Sequence, residues 1–184
     1  YALALSLAVS ILLAIFPLLG AEKNIVSFMR LARPMTYGLF VSLTISFGTL
    51  FYLFAVNDFS VQYVVNNSNS NLPLHYRLSA VWGSHEGSLL LWIWLLTLWS
   101  AAVAIFSKHL PQEAVARVLG IMGLISVGFL IFVLFTSNPF SRTFPNFPVD
   151  GKELNPMLQD VGLIFHPPLL YLGYVGFSVA FAFA

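Results

Sequence analysis

The stretch VLGIMGLISVGFLIFVLFT, residues 118–136, contains no Asp, Glu, Lys, Arg or His. Its length is close to the roughly 20 residues that a helix needs to cross a bilayer core. A helix lying on a membrane surface would need a polar face, and this run has none. Runs at about 2–19, 37–56 and 88–107 read the same way, and a fifth, at about 163–184, is apolar except for one histidine near its start. The expected fold is all-α: a polytopic transmembrane helical bundle of about five spans with two longer outer loops, a single transmembrane domain over 1–184.

Composition agrees with that reading. Of the 184 residues, 59% are apolar and 8% charged, and mean hydropathy is +0.87. A soluble domain carries about 25% charged residues, so the solvent for much of this chain is lipid. There is no cysteine, which removes disulfides and thiolate metal ligands from the segment. Net charge is +1, giving no electrostatic footprint for nucleic acid. The run 2–19 lacks a preceding basic stretch and a cleavage-like site, so it does not read as a signal peptide. The chain opens on Tyr1 without a start methionine and stops inside FSVAFAFA. The expectation is a piece of a longer membrane protein.

The segments between runs set the expected topology. The short ones carry Lys23, Arg30 and Arg33, and Lys108 and Arg117; the long ones, 57–87 and 137–160, carry Arg77, and Arg142 and Lys152. Lys and Arg near membrane ends favour the cytoplasmic side. Five against three places the amino terminus and the long loops outside. NNSNSN (66–71) reads as a small polar turn or mobile tip. Gly38, Ser42 and Ser46, four residues apart, mark a face of the second span for close helix packing.

Two stretches hold residues suited to chemistry. In VWGSHEGSLLLWIWLLTLWS (81–100), His85 and Glu86 lie just before the third span, flanked by Gly83 and Gly87. A carboxylate there interacts favourably with the helix dipole, and His85 reads as a hydrogen-bonded interfacial histidine. Trp92 suits the interfacial aromatic belt. Trp99 falls near the midplane, where packing against another helix is the better reading. Trp82, on the outer loop, could form part of an aromatic platform for a flat ligand. In GLIFHPPLLYLGYVGFS (162–178), a histidine precedes two prolines. Proline suits the first turn of a helix, and the residue before it is pushed out of the helical region. A helix is therefore expected to begin at or just after His166, with Pro167 in its first turn and Tyr171 and Tyr174 within two turns. A neutral imidazole at that boundary can ligate a metal, shuttle a proton or accept a hydrogen bond. His75 and His109 read as solvated.

WGSHEGSLLLW (82–92) followed by LNPMLQDVGLIFHPPLLYLGYVGFSVAFA (154–183) resembles the amino-terminal part of the CcmF family, a membrane subunit of the cytochrome c maturation machinery. The resemblance implies heme handling as part of a heme lyase, which attaches heme to a Cys-x-x-Cys-His apocytochrome c at the outer membrane face. It implies that His166 is one axial ligand to heme iron. It makes Trp82, His85, Glu86 and Tyr171 candidates to shape the same outer cavity. Implied partners are a heme chaperone, apocytochrome c and its thiol-handling subunit, beside the lipid bilayer; no nucleic acid is implied. The family's second axial histidine and its tryptophan-rich segment would lie beyond Ala184. The implied location is the bacterial inner membrane with periplasmic long loops, or a mitochondrial inner membrane. Two other classes compete. An ion-coupled transporter needs ionisable groups at depth, which four spans lack; a structural assembly subunit without a cofactor remains the alternative.

Overall fold

The computed structural model describes residues 1–145 and 147–184; Asn146, in the second long loop, lies outside the described residues. In chain order the helices are α1 (Ala2–Lys23), α2 (Val26–Met29), α3 (Ala32–Ala55), α4 (Gln62–Asn67), α5 (Leu74–Ser79), α6 (His85–Phe106), α7 (Gln112–Phe135), α8 (Val161–Val175) and α9 (Phe177–Phe183). Five helical stretches are long and apolar enough to cross a membrane: α1, α2 with α3, α6, α7, and α8 with α9. The all-α bundle with five spans is what the apolar runs led us to expect. The chain is a multi-pass membrane protein.

The helices overshoot the apolar runs. α6 begins at His85 rather than 88, so His85 and Glu86 are its first two residues and do not precede it. α7 begins at Gln112, six residues ahead of its apolar run. Counting apolar residues finds the lipid-embedded length, but a helix continues into the interface, where polar side chains are solvated.

α1 packs along α7 and α3; α6 packs against α3 and α7; and α8 with α9 lies along α6 and α7. Leu39 and Leu43 of α3, Leu90 and Leu96 of α6, and Leu119 and Met122 of α7 are fully buried between these helices. In lipid, burying such residues gains little by itself, and association depends on close fit. The closest fit is between α1 and α7. A Cβ on Gly120 would come within 2.7 Å of Leu18 Cγ, and one on Gly123 within 2.9 Å of Leu13 Cγ. The stripe on α3 is only partly used this way. Ser42 and Ser46 are buried, and the Ser42 hydroxyl lies 2.8 Å from that of Ser6 on α1, but Gly38 faces open space.

The two long loops fold onto each other at one end of the bundle. The carboxylate of Asp150 accepts from the Ser70 amide (2.9 Å) and hydroxyl (2.5 Å) and from the Gly151 amide (2.7 Å). These bonds, the Ser70 hydroxyl foremost, hold the Asp150 carboxyl below its ordinary pKa. The Lys152 amide donates to the Val65 carbonyl (2.6 Å) and the Gln62 amide to the Ser141 carbonyl (2.8 Å). Residues 66–71 form a turn here: the Ser68 hydroxyl donates to the Asn57 side-chain oxygen, and the Asn57 amide nitrogen to the Asn69 carbonyl. At the opposite end the Arg33 guanidinium donates to the Ser107 carbonyl at 2.9 Å, tying the two short connections together.

The start of the fifth span differs from the expectation. α8 begins at Val161, not at His166. Asp160 caps it, with its carboxylate accepting from the Gly162 amide at 2.6 Å. Pro167 and Pro168 are therefore interior residues. A strong N-cap residue six positions upstream outweighs the preference of proline for a first turn.

Candidate functional site at the long-loop end

The segment 81–88 is fixed before it becomes helical. The Tyr63 hydroxyl donates to the Val81 carbonyl (3.0 Å) and lies 3.3 Å from the Ser84 carbonyl; the Ser88 hydroxyl donates to the Trp82 carbonyl (2.8 Å). Burial pushes the Tyr63 phenol pKa well up, with the nearby Glu86 charge adding to the rise. Tyr63 is therefore a protonated donor throughout the ordinary pH range. Glu86 occupies the first turn of α6, where the helix dipole favours it. A Cβ on Gly87 would overlap the Val81 carbonyl oxygen, so the loop closes onto the helix only because that position is bare.

From this platform the side chains spread toward the fifth span. The Trp82 indole N–H donates to the Leu163 carbonyl at 2.7 Å, one turn ahead of His166. Its ring also lies 5.6 Å from that of Phe51. Trp82 is thus a partner of the α8 backbone as well as a half-buried aromatic surface. Trp92 donates to the Tyr174 hydroxyl (3.0 Å) and stacks at a tilt on Phe129 with ring centres 3.9 Å apart. Trp99 donates to the Leu172 carbonyl (3.0 Å), packing against the fifth span as its depth suggested.

His85 is exposed at its first-turn position, with Nδ1 3.1 Å from the Ser137 hydroxyl and its ring edge-on to Phe132. It lines a cavity of about 340 Å³ with Ser88, Trp92, Phe129, Tyr171 and Tyr174. The structure therefore brings His85 and Tyr171 to one cavity, and Trp82 to the first turn of α8. It places His166 outside that cavity's lining, on an exposed face of α8 between the exposed Phe165 and Leu169. His166 lies five residues into the helix, about 8 Å along its axis. His75 and His109 are exposed. Among the described residues no group of three or more His, Cys, Asp or Glu is placed to hold a metal ion. Tyr63, Ser88 and Ser137 were not singled out by the sequence. A lone tyrosine or serine in a polar loop carries no periodic signal of the partner it will meet.

Comparison with known proteins follows this geometry closely. The family described as cytochrome C assembly protein matches residues 82–184, beginning at Trp82 itself. The cytochrome c-type biogenesis protein CcmF of Haemophilus influenzae is 84% identical over all 184 residues, which are 28% of that protein. CcmF of Escherichia coli K12 is 59% identical over 99% of this chain and 28% of its own length. A solved structure described as cytochrome c heme lyase CcmF superposes with a TM-score of 0.84 at 31% identity, covering 98% of this chain and 28% of the other. The chain thus spans a little over a quarter of these relatives.

Proposed function

Because the chain belongs to the cytochrome c assembly protein family, we propose that it serves cytochrome c biogenesis as the heme-handling part of a heme lyase. Within that reading His166 is an axial ligand to heme iron. The observation that carries it is an exposed imidazole on the long-loop end of α8, flanked by the exposed apolar side chains of Phe165 and Leu169. An imidazole nitrogen is a usual axial donor to heme iron, and apolar neighbours suit a porphyrin face. The residues present therefore fit one side of a heme; the other axial position falls to a residue outside 1–184.

This chain's own contribution is to hold and present. Asp160 fixes where α8 starts, and the indoles of Trp82, Trp92 and Trp99 tie α8 to the loop and helix beside it. Tyr171 and His85 line the neighbouring aromatic cavity, and Glu86 stands at the amino end of α6. Bound heme would be delivered to a Cys-x-x-Cys-His apocytochrome c for thioether attachment. A heme chaperone supplies it and a thiol-handling subunit keeps the client reduced. The long loops face the periplasmic side of a bacterial inner membrane.

The test uses the full-length protein. His166→Ala should lower the Soret absorption of the purified protein and block cytochrome c maturation in cells. Free imidazole, which can occupy the vacated coordination position, should restore part of both. His109→Ala, at the opposite end of the bundle, should change neither. Normal heme spectra and normal cytochrome c with His166→Ala would defeat the ligand assignment, leaving a structural subunit as the reading.

A further inference from the structure

Pro167 sits inside α8 and cannot donate to the carbonyl four residues earlier, which is that of Leu163. Its ring also crowds that carbonyl and tilts it away from the helix axis. The donor that meets it comes from outside the helix: the Trp82 indole N–H, 2.7 Å away. Trp82 is itself held at its carbonyl by the Ser88 hydroxyl, and the neighbouring Val81 carbonyl by the Tyr63 hydroxyl.

The same device recurs lower on the helix. The Gly176 amide turns to the Gly173 carbonyl at 3.2 Å, as α8 gives way to α9. The Leu172 carbonyl, four residues before Gly176, instead accepts from the Trp99 indole at 3.0 Å. Both breaks in the regular hydrogen bonding of the fifth span are thus met by an indole from the 82–99 stretch.

We propose that Trp82 is a positioning residue for His166. Its indole replaces the hydrogen bond that Pro167 removes, and so fixes the direction of the α8 turn that presents the imidazole. The proposal rests on the reading of His166 as a ligand, and Trp82 acts through the helix backbone. It gives the two motifs one purpose: the proline frees a carbonyl, and the tryptophan of the other motif fills it.

The experiment is a double-mutant cycle in the detergent-purified full-length protein: Trp82→Phe, Pro167→Ala and the two combined. Phenylalanine keeps an aromatic ring beside Phe51 and removes only the N–H donor; alanine at 167 restores the backbone N–H that Leu163 lacks. Amide hydrogen exchange over residues 164–172 reads the helix without reference to heme, and the Soret band reads the ligand. Trp82→Phe should speed exchange roughly five- to tenfold, the scale of one lost hydrogen bond, and shift or weaken the Soret band. In the Pro167→Ala background the same change should alter exchange by less than about twofold and leave the band in place. Equal effects in both backgrounds would overturn the proposal, because ring packing and not the donor would be at work. If Trp82→Phe alone fails to accumulate, accumulation of the double variant supports the proposal and its failure overturns it. A Soret band unaffected by His166→Ala defeats the ligand reading and the proposal with it. A band lost in His166→Ala but untouched, with unchanged exchange, in Trp82→Phe defeats positioning alone.

Discussion

Gly87 shows how little freedom a single position has at this end of the molecule. The Val81 carbonyl occupies the space a Cβ would need, and the Tyr63 hydroxyl and ring come within 2.7 and 2.9 Å of it. Gly87→Ala must therefore push that carbonyl off the Tyr63 hydroxyl that donates to it. Forcing a methyl into a filled site costs about 1–3 kcal/mol, and thermal unfolding of the purified protein should show a clear drop in Tm. Gly38→Ala, which meets nothing within 4 Å, should stay within about 0.5 kcal/mol of the parent. Equal losses at the two glycines would show that the contact with Val81 is not what fixes Gly87. The sequence placed glycines on both sides of His85 and Glu86 but could not tell which one was pinned. That depends on a carbonyl six residues back and a tyrosine 24 residues back, and neither belongs to a local pattern. His85 was legible as a hydrogen-bonded interfacial residue; its partner, Ser137, was not, because it lies 52 positions away.

At the scale of the helix, α8 depends on two different devices. Its start depends on the Asp160 carboxylate and the Gly162 amide, and its interior prolines on donors supplied from elsewhere. Asp160→Ala should remove about 1 kcal/mol from the first turn. Amide exchange at residues 162–164 should rise accordingly, while exchange in α7 stays unchanged. If the first-turn amides were no faster in Asp160→Ala, the start of α8 would be fixed by packing instead. The sequence rule that put the helix start at His166 applies only where nothing stronger lies upstream. Here an Asp stands directly ahead of Val161, and it decides the boundary. The second device could not be read locally, since the Trp82 indole reaches Leu163 across 81 residues. Apolar runs located each span because lipid exposure acts on every residue in it. They missed the ends because capping and tertiary donors act on one or two residues only.

For the molecule as a whole, the packing fixes which ends lie together but says nothing of which side of the membrane each end faces. Tyr1 lies with Asn138, Phe140 and Arg142 around one cavity, so the amino terminus shares an end with the second long loop. The short connections meet at the other end through Arg33 and Ser107. Charge assigns the sides, and the structure sharpens the count. On the long-loop side, Arg77 donates to the Ala55 and Leu72 carbonyls, the first of them the end of α3, and Arg142 lies 3.9 Å from Asp58. Both have structural partners there. At the opposite end Lys23, Arg30 and Lys108 are exposed. Free cations at one end favour its retention in the cytoplasm. In a full-length protein otherwise free of cysteine, a cysteine at exposed Asn66 or at Val149, which is 100% exposed, should react with a membrane-impermeant maleimide in intact spheroplasts. A cysteine at Lys23 should react only after lysis. Labelling of Lys23→Cys in intact cells, with protection of the other two, would invert the bundle. His166 would then stand at the cytoplasmic surface, out of reach of any apocytochrome on the far side, whatever its ability to bind heme.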